Sequence, residues 1–125
     1  MDYYGCMKVK VLLIAVLLTA GFSISAQAQS RFAGRYDLLS GYTTGSNRGL
    51  FGYGIATASR WGAVSYTAYY PRLQGSGSGT GRINSKGAFR LNNGTTGSAQ
   101  MYGNRVAVGT FRDAYGGGFF GLRKK

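Results

Sequence analysis

Histidine is absent from this sequence, and cysteine, proline and tryptophan each occur once. Acidic side chains are scarce as well: three Asp and Glu stand against fifteen Lys and Arg. Each shortage excludes something. Without histidine, the usual neutral-pH proton carrier and commonest metal ligand are gone. The lone cysteine, Cys6, lies ahead of the first apolar run. Downstream of it there is no disulfide, no thiolate nucleophile and no thiolate metal site. The chain there is held by packing and hydrogen bonds alone.

Two carboxylates, Asp37 and Asp113, remain downstream of the apolar run. A hydrolytic pair would require them to meet, as the first and last strands of a closed barrel do. Each is more simply a turn or ion-pair residue beside Arg35 or Arg112. Phosphate-cradling motifs also fail. Gly77-Ser78-Gly79-Thr80-Gly81 does not match G-x-G-x-x-G, and Ser85-Lys86-Gly87 reverses the order a P-loop needs. Arg48 to Ile55 superficially resembles the basic-aromatic strand of an RNA-recognition motif, but that fold also needs two helices. No catalytic, cofactor-binding or metal-ligating residue is assigned, no cofactor is expected, and no nucleic-acid partner is expected.

Most of what is present is export signal and β-pattern. Lys8 and Lys10 precede the apolar run Val11 to Leu18, and Ala26-Gln27-Ala28 follows. A charged region, an apolar region and an A-x-A site in that order read as a secretory signal helix. The expected cut follows Ala28, with Gln29 first in the mature chain. The alternative is a retained anchor, but the run is shorter than the roughly 20 residues a spanning helix needs. The domain reading is therefore 1–28 signal peptide and 29–125 a single all-β domain, with no transmembrane segment after cleavage. The expected location is periplasm, cell envelope or extracellular space.

Alternation of period two runs through residues 29–125. Phe32, Tyr36 and Leu38 share one face. Phe51, Tyr53, Ile55 and Thr57 oppose Gly52, Gly54, Ala56 and Ala58, giving one bulky face and one nearly bare. A bare face admits another backbone, a tilted side chain or a ligand, or marks a bend. Val64, Tyr66, Ala68 and Tyr70 oppose Ser65, Thr67 and Tyr69, and Pro71 closes that strand. Arg72-Leu73-Gln74 reads as a short strand, and Gly75 to Gly79 as a loop merging into a glycine-rich strand. Asn84-Ser85-Lys86-Gly87 turns the chain into Phe89 and Leu91. Asn93-Gly94, Gly103-Asn104 and Asp113 to Gly117 are further turns. Asn93-Gly94-Thr95 is also a glycosylation sequon, with a plain turn asparagine as the simpler reading.

The pattern predicts an antiparallel meander of seven to nine short strands, closed as a small barrel or left as a curled sheet. A barrel also explains the glycines, because strong strand curvature needs bends and bulges. Core material is expected from Phe32, Tyr36, Phe51, Tyr53, Trp61, Tyr66, Tyr69, Phe89, Tyr102, Phe111, Phe119 and Phe120. A lone transmembrane barrel would need more chain for eight spanning strands; an oligomeric one would escape that limit.

Thirteen bases, ten of them Arg, are spread from Arg31 to Lys125. Such a surface attracts polyanions, or keeps an apolar β-protein soluble. Arg forks onto carboxylate or phosphate, and Tyr stacks on sugars or cations. The candidate polyanion- or glycan-binding residues are Tyr69, Tyr70, Arg72, Arg82, Lys86 and Arg90.

The stretch Gly75 to Leu91 (GSGSGTGRINSKGAFRL) and the ending Val106 to Lys125 resemble the glycine-rich β-hairpin domains of secreted and cell-surface bacterial proteins. That resemblance implies export and a β-fold and supplies no activity. The functional expectation is a non-enzymatic exported bacterial β-domain, a binding or structural module contacting an anionic polysaccharide or envelope polymer. The alternative is an envelope-structural protein that self-assembles into oligomers by pairing edge strands.

Overall fold

A computed structural model describes residues 31–125. The signal segment, its cleavage residues Ala26, Ala28 and Gln29, and Cys6 lie outside the described residues. The eight strands are β1 (Gly34–Tyr42), β2 (Phe51–Ala58), β3 (Ala63–Tyr70), β4 (Gly75–Ile83), β5 (Ala88–Leu91), β6 (Thr96–Tyr102), β7 (Val106–Asp113) and β8 (Gly116–Lys124). Each pairs antiparallel with the next, and β1 pairs with β8, so the sheet closes as a barrel. The short β5 closes the wall only in part, meeting Gly81–Ile83 of β4 and Thr96–Ser98 of β6.

The hairpins are fixed by short polar side chains that take over backbone N–H groups. Ser59 Oγ accepts from the amides of Trp61 and Ala63 at 3.2 and 3.1 Å. Asn84 Oδ1 accepts from Lys86 and Ala88 at 2.9 and 3.0 Å. Asn93 Oδ1 accepts from Thr95 at 3.0 Å, and Asp113 Oδ1 from Tyr115 at 2.8 Å. These are the self-bonding turns that Ser, Asn and Asp favour. An up-and-down meander then sorts the connections between two ends. The lower end carries residues 31–33, the β2–β3, β4–β5 and β6–β7 turns and Lys125. The upper end carries the other four connections.

Three expectations about local structure are corrected. Pro71–Leu73 is a 3-10 turn, not a strand, ended by Gln74 in the left-handed region at φ 52°. The glycine run from Gly75 is not a loop but the first half of the nine-residue β4. Its partner β3 binds it along the whole length, from Tyr70↔Gly75 to Ala63↔Arg82.

The third concerns which face is inside. Tyr36, Tyr42, Ala68, Ile83, Leu91, Ala99 and Ala107 are buried, as is Phe32 ahead of β1. On β2 the bare face points inward and the bulky face outward: Phe51, Tyr53 and Ile55 are exposed. Trp61, Tyr69, Tyr102 and Phe119 are exposed too, so half of the expected aromatic core lies on the outside. The reason is curvature. A closed, tightly coiled wall bends at small inner residues, and the inward rings fold across glycines. The Tyr70 ring lies against Gly52, Phe89 against Gly97 and Phe120 against Gly109, each leaving no room for a Cβ.

The outer wall has two characters. Leu39, Phe51, Tyr53, Ile55, Tyr69, Val106, Val108 and Phe119 make an apolar side across β7, β8 and β1–β3. The outward residues of β4–β6 are Ser76, Ser78, Thr80, Arg82, Ala88, Arg90, Thr96, Ser98, Gln100 and Tyr102. The apolar side therefore stops short of a full belt. The apolar cluster at the lower end is Phe32, Ile83 and Ala99, with Val64, Phe89, Met101 and Phe120 packed on it.

Candidate functional site

The meander gathers charge that is scattered in sequence. Ten of the thirteen described bases lie in the lower half: Arg31, Arg35, Arg60, Arg82, Lys86, Arg90, Arg105, Arg123, Lys124 and Lys125. Only Arg48, Arg72 and Arg112 belong to the upper half.

These ten form two groups. One surrounds Asp37. Lys125 Nζ sits 3.5 Å from its Oδ1, Arg123 is its cross-strand neighbour, and Arg35 shares its outward face. Arg105 Nη2 donates to the Lys124 carbonyl at 3.2 Å, and Lys124 Nζ lies 5.9 Å from the Tyr36 ring centre. Here a carboxylate offsets part of the charge.

The other group surrounds the β4–β5 hairpin and contains no acid. Arg82 and Arg90 face each other directly across the two strands, both outward. Like charges in that position oppose folding by roughly 0.2–1 kcal/mol. Lys86 is at the hairpin tip. Arg31 reaches the same tip, its Nη2 donating to the Ser85 carbonyl at 2.9 Å. On the β3 side, Arg82 Nη2 donates to the Trp61 carbonyl at 2.8 Å. Arg60 stacks on the Trp61 ring at 5.4 Å. Trp61 is 53% exposed despite its size. Arg90 and the Lys86 side chain have no partner among the described residues, so their charge is available.

Of the six residues expected from sequence, the structure brings Arg82, Lys86 and Arg90 together. It separates them from the other three by the length of the barrel. Tyr69 points outward against Tyr53, ring centres 5.9 Å apart. Tyr70 points inward and lines the barrel interior. Arg72 lies in the 3-10 turn at the upper end. Adjacency in sequence misled here, because neighbours on a strand face opposite sides. Sequence reasoning missed Arg31, Arg60 and Trp61. Turn parity would have found Arg60 and Trp61, because in a meander every second turn returns to the same end; Arg31 precedes β1 at that end.

The remaining sequence candidates separate as well. Asp37 is outward in the lower half, while Asp113 is inward at the upper end, so no carboxylate pair forms. Asn93 Nδ2 donates to the Tyr66 hydroxyl at 3.2 Å and to the Ser78 carbonyl at 3.1 Å. Thr95 of the sequon is buried. Among the described residues, no group of His, Cys, Asp and Glu could hold a metal ion. No helix among them is long and apolar enough to cross a membrane.

No family model, curated protein or solved structure matches this chain.

Proposed function

We propose that this is a non-enzymatic exported bacterial barrel that binds an anionic polysaccharide or envelope polymer on the β4–β5 side of its lower end. The observation that carries the reading is the Arg82–Arg90 cross-strand pair, with Arg31, Arg60 and Lys86 around it and no acid nearby. Two arginines directly opposite on neighbouring strands cost stability when empty and are relieved by a bridging carboxylate, sulfate or phosphate. Trp61 adds an exposed ring against which a sugar can stack. The lysine-flanked apolar leader ending in Ala26-Gln27-Ala28 supports export.

Retention on heparin and lipopolysaccharide columns over a salt series tests this. The protein should be retained at low salt and released as screening grows. The R82Q/R90Q double variant should elute at clearly lower salt, whereas R48Q/R72Q, at the upper end, should elute with the unaltered protein. Passage of the unaltered protein without retention at low salt would end the reading.

A second reading, self-assembly, draws on the apolar outer wall, where Leu39 is 60% and Phe119 61% exposed. Light scattering across concentration separates the two, since a strict monomer speaks against assembly.

A further inference from the structure

The barrel is hollow. A space of about 140 Å³ runs along its axis, lined from Phe32 at the lower end to Asp113 at the upper. It exists because many inner positions carry little side chain, among them Ala56, Ala58, Ala99 and Ala107. Eight strands enclose room for packed side chains or for one small ligand. The lower end is shut: Phe32 is 6% exposed, and its carbonyl accepts the Tyr36 hydroxyl at 2.6 Å.

The upper end is polar. Ser40, Tyr42, Tyr70 and Asp113 all face the space. Asp113 Oδ2 accepts the Tyr42 hydroxyl at 2.5 Å, and its Oδ1 accepts the Tyr115 amide at 2.8 Å. Each oxygen keeps acceptor capacity beyond these bonds. In so basic a chain this carboxylate has no cationic partner within 4.0 Å among the described residues, where the one ion pair is Lys125 with Asp37. Its neighbour Arg112 points out of the barrel. Burial pushes the Tyr42 and Tyr70 hydroxyls up from their ordinary value, so both remain neutral at physiological pH.

A carboxylate ringed by neutral hydroxyls at the end of an apolar tube is complementary to a small cation with an apolar body. We propose that the interior is a binding site for a small apolar amine. Its body occupies the space beside Leu38, Leu91 and Phe111, and its ammonium group meets Asp113 and the Tyr70 hydroxyl. An apolar cavity of about 150 Å³ takes up a single benzene ring, which sets the size. This site is separate from the basic end and does not depend on it.

Titration of the purified protein with benzylamine, toluene and benzoate, followed by calorimetry and amide NMR, tests the proposal. Benzylamine should bind saturably and shift Tyr42, Leu91 and Asp113. Toluene should bind the same residues more weakly, and benzoate should not enter. In D113N, benzylamine affinity should fall about tenfold, toward that of toluene, because a charge-assisted bond is lost. In A107L, which fills the space, both should lose binding. No saturable shift with benzylamine overturns the proposal. So does unchanged amine affinity in D113N, or full amine binding by A107L.

Discussion

At the lower end of the barrel Phe32 fills the axis, and ten of the thirteen described bases crowd the rim. At the upper end the axis is lined by hydroxyls and Asp113, and three bases remain. Both ends are made from the same hairpins with the same Ser, Asn and Asp turns. What differs is what the inner positions carry at each end and which alternate turns hold bases. One end is sealed by packing and free to present charge outward. The other holds a carboxylate inside and keeps its interior partly empty.

Removing the seal is the largest way to break that contrast. Phe32→Ala deletes a buried ring from the Phe32, Ile83 and Ala99 cluster. Buried Phe→Ala changes cost about 3–5 kcal/mol, and each kcal/mol shifts the melting midpoint of a domain this size by roughly 4–8 °C. The matching change at the upper end, Tyr115→Ala, removes a ring that is 58% exposed and should cost within about 0.5 kcal/mol. Thermal melts of the two variants measure the difference. Equal losses would mean the lower cluster does not anchor the barrel.

The upper end's network should fail differently, through pH. Tyr42→Phe leaves Asp113 without a hydroxyl donor and should cost about 1–3 kcal/mol near neutrality. Burial first, and the Asp113 hydrogen bond second, raise the Tyr42 hydroxyl above its ordinary 10.0. Burial likewise raises Tyr36 and Tyr70. In the unfolded chain these tyrosines lose protons near pH 10 while the folded barrel still holds them. The unfolded state then binds fewer protons, and stability falls as pH rises. Their contribution is complete below pH 10 and is lost progressively above it. Melting midpoints from pH 8 to 11 should stay level and then drop, and Tyr42→Phe should make the drop shallower. An identical slope in the variant would show that Tyr42 is not held neutral by its site.

How much of this could be read in the sequence differs between strand and barrel. Strand positions were legible, because Asn84-Gly87, Asn93-Gly94, Gly103-Asn104 and Pro71 punctuate runs that alternate with period two. The glycine run of β4 was not. Glycine has low strand preference, and what makes Gly75 to Gly81 a strand is pairing along all of β3. The inner face was equally hidden. Alternation divides Phe51, Tyr53 and Ile55 from Gly52 and Gly54 but does not say which set faces the axis; wall curvature decides that. Of the candidate site, Arg82 and Arg90 were legible as outward bases on one hairpin. Arg60 joins them through the β3–β4 pairing, and Arg31 through the closed topology.

The smallest effect is the most specific, because it should carry opposite signs in two measurements. Arg90 has no partner among the described residues and faces Arg82 across the sheet. Arg90→Thr removes a repulsion and installs a residue that favours strands. The barrel should therefore gain about 0.2–1 kcal/mol, seen as a slightly higher melting midpoint. The same variant should leave heparin at lower salt, because one arm of the guanidinium pair is gone. Stability given up at a functional site is a common trade, and this variant separates the two sides of it. If Arg90→Thr lowered the midpoint, the pair would be contributing to the fold and not opposing it. The cross-strand arginines would then no longer argue for a bound anion.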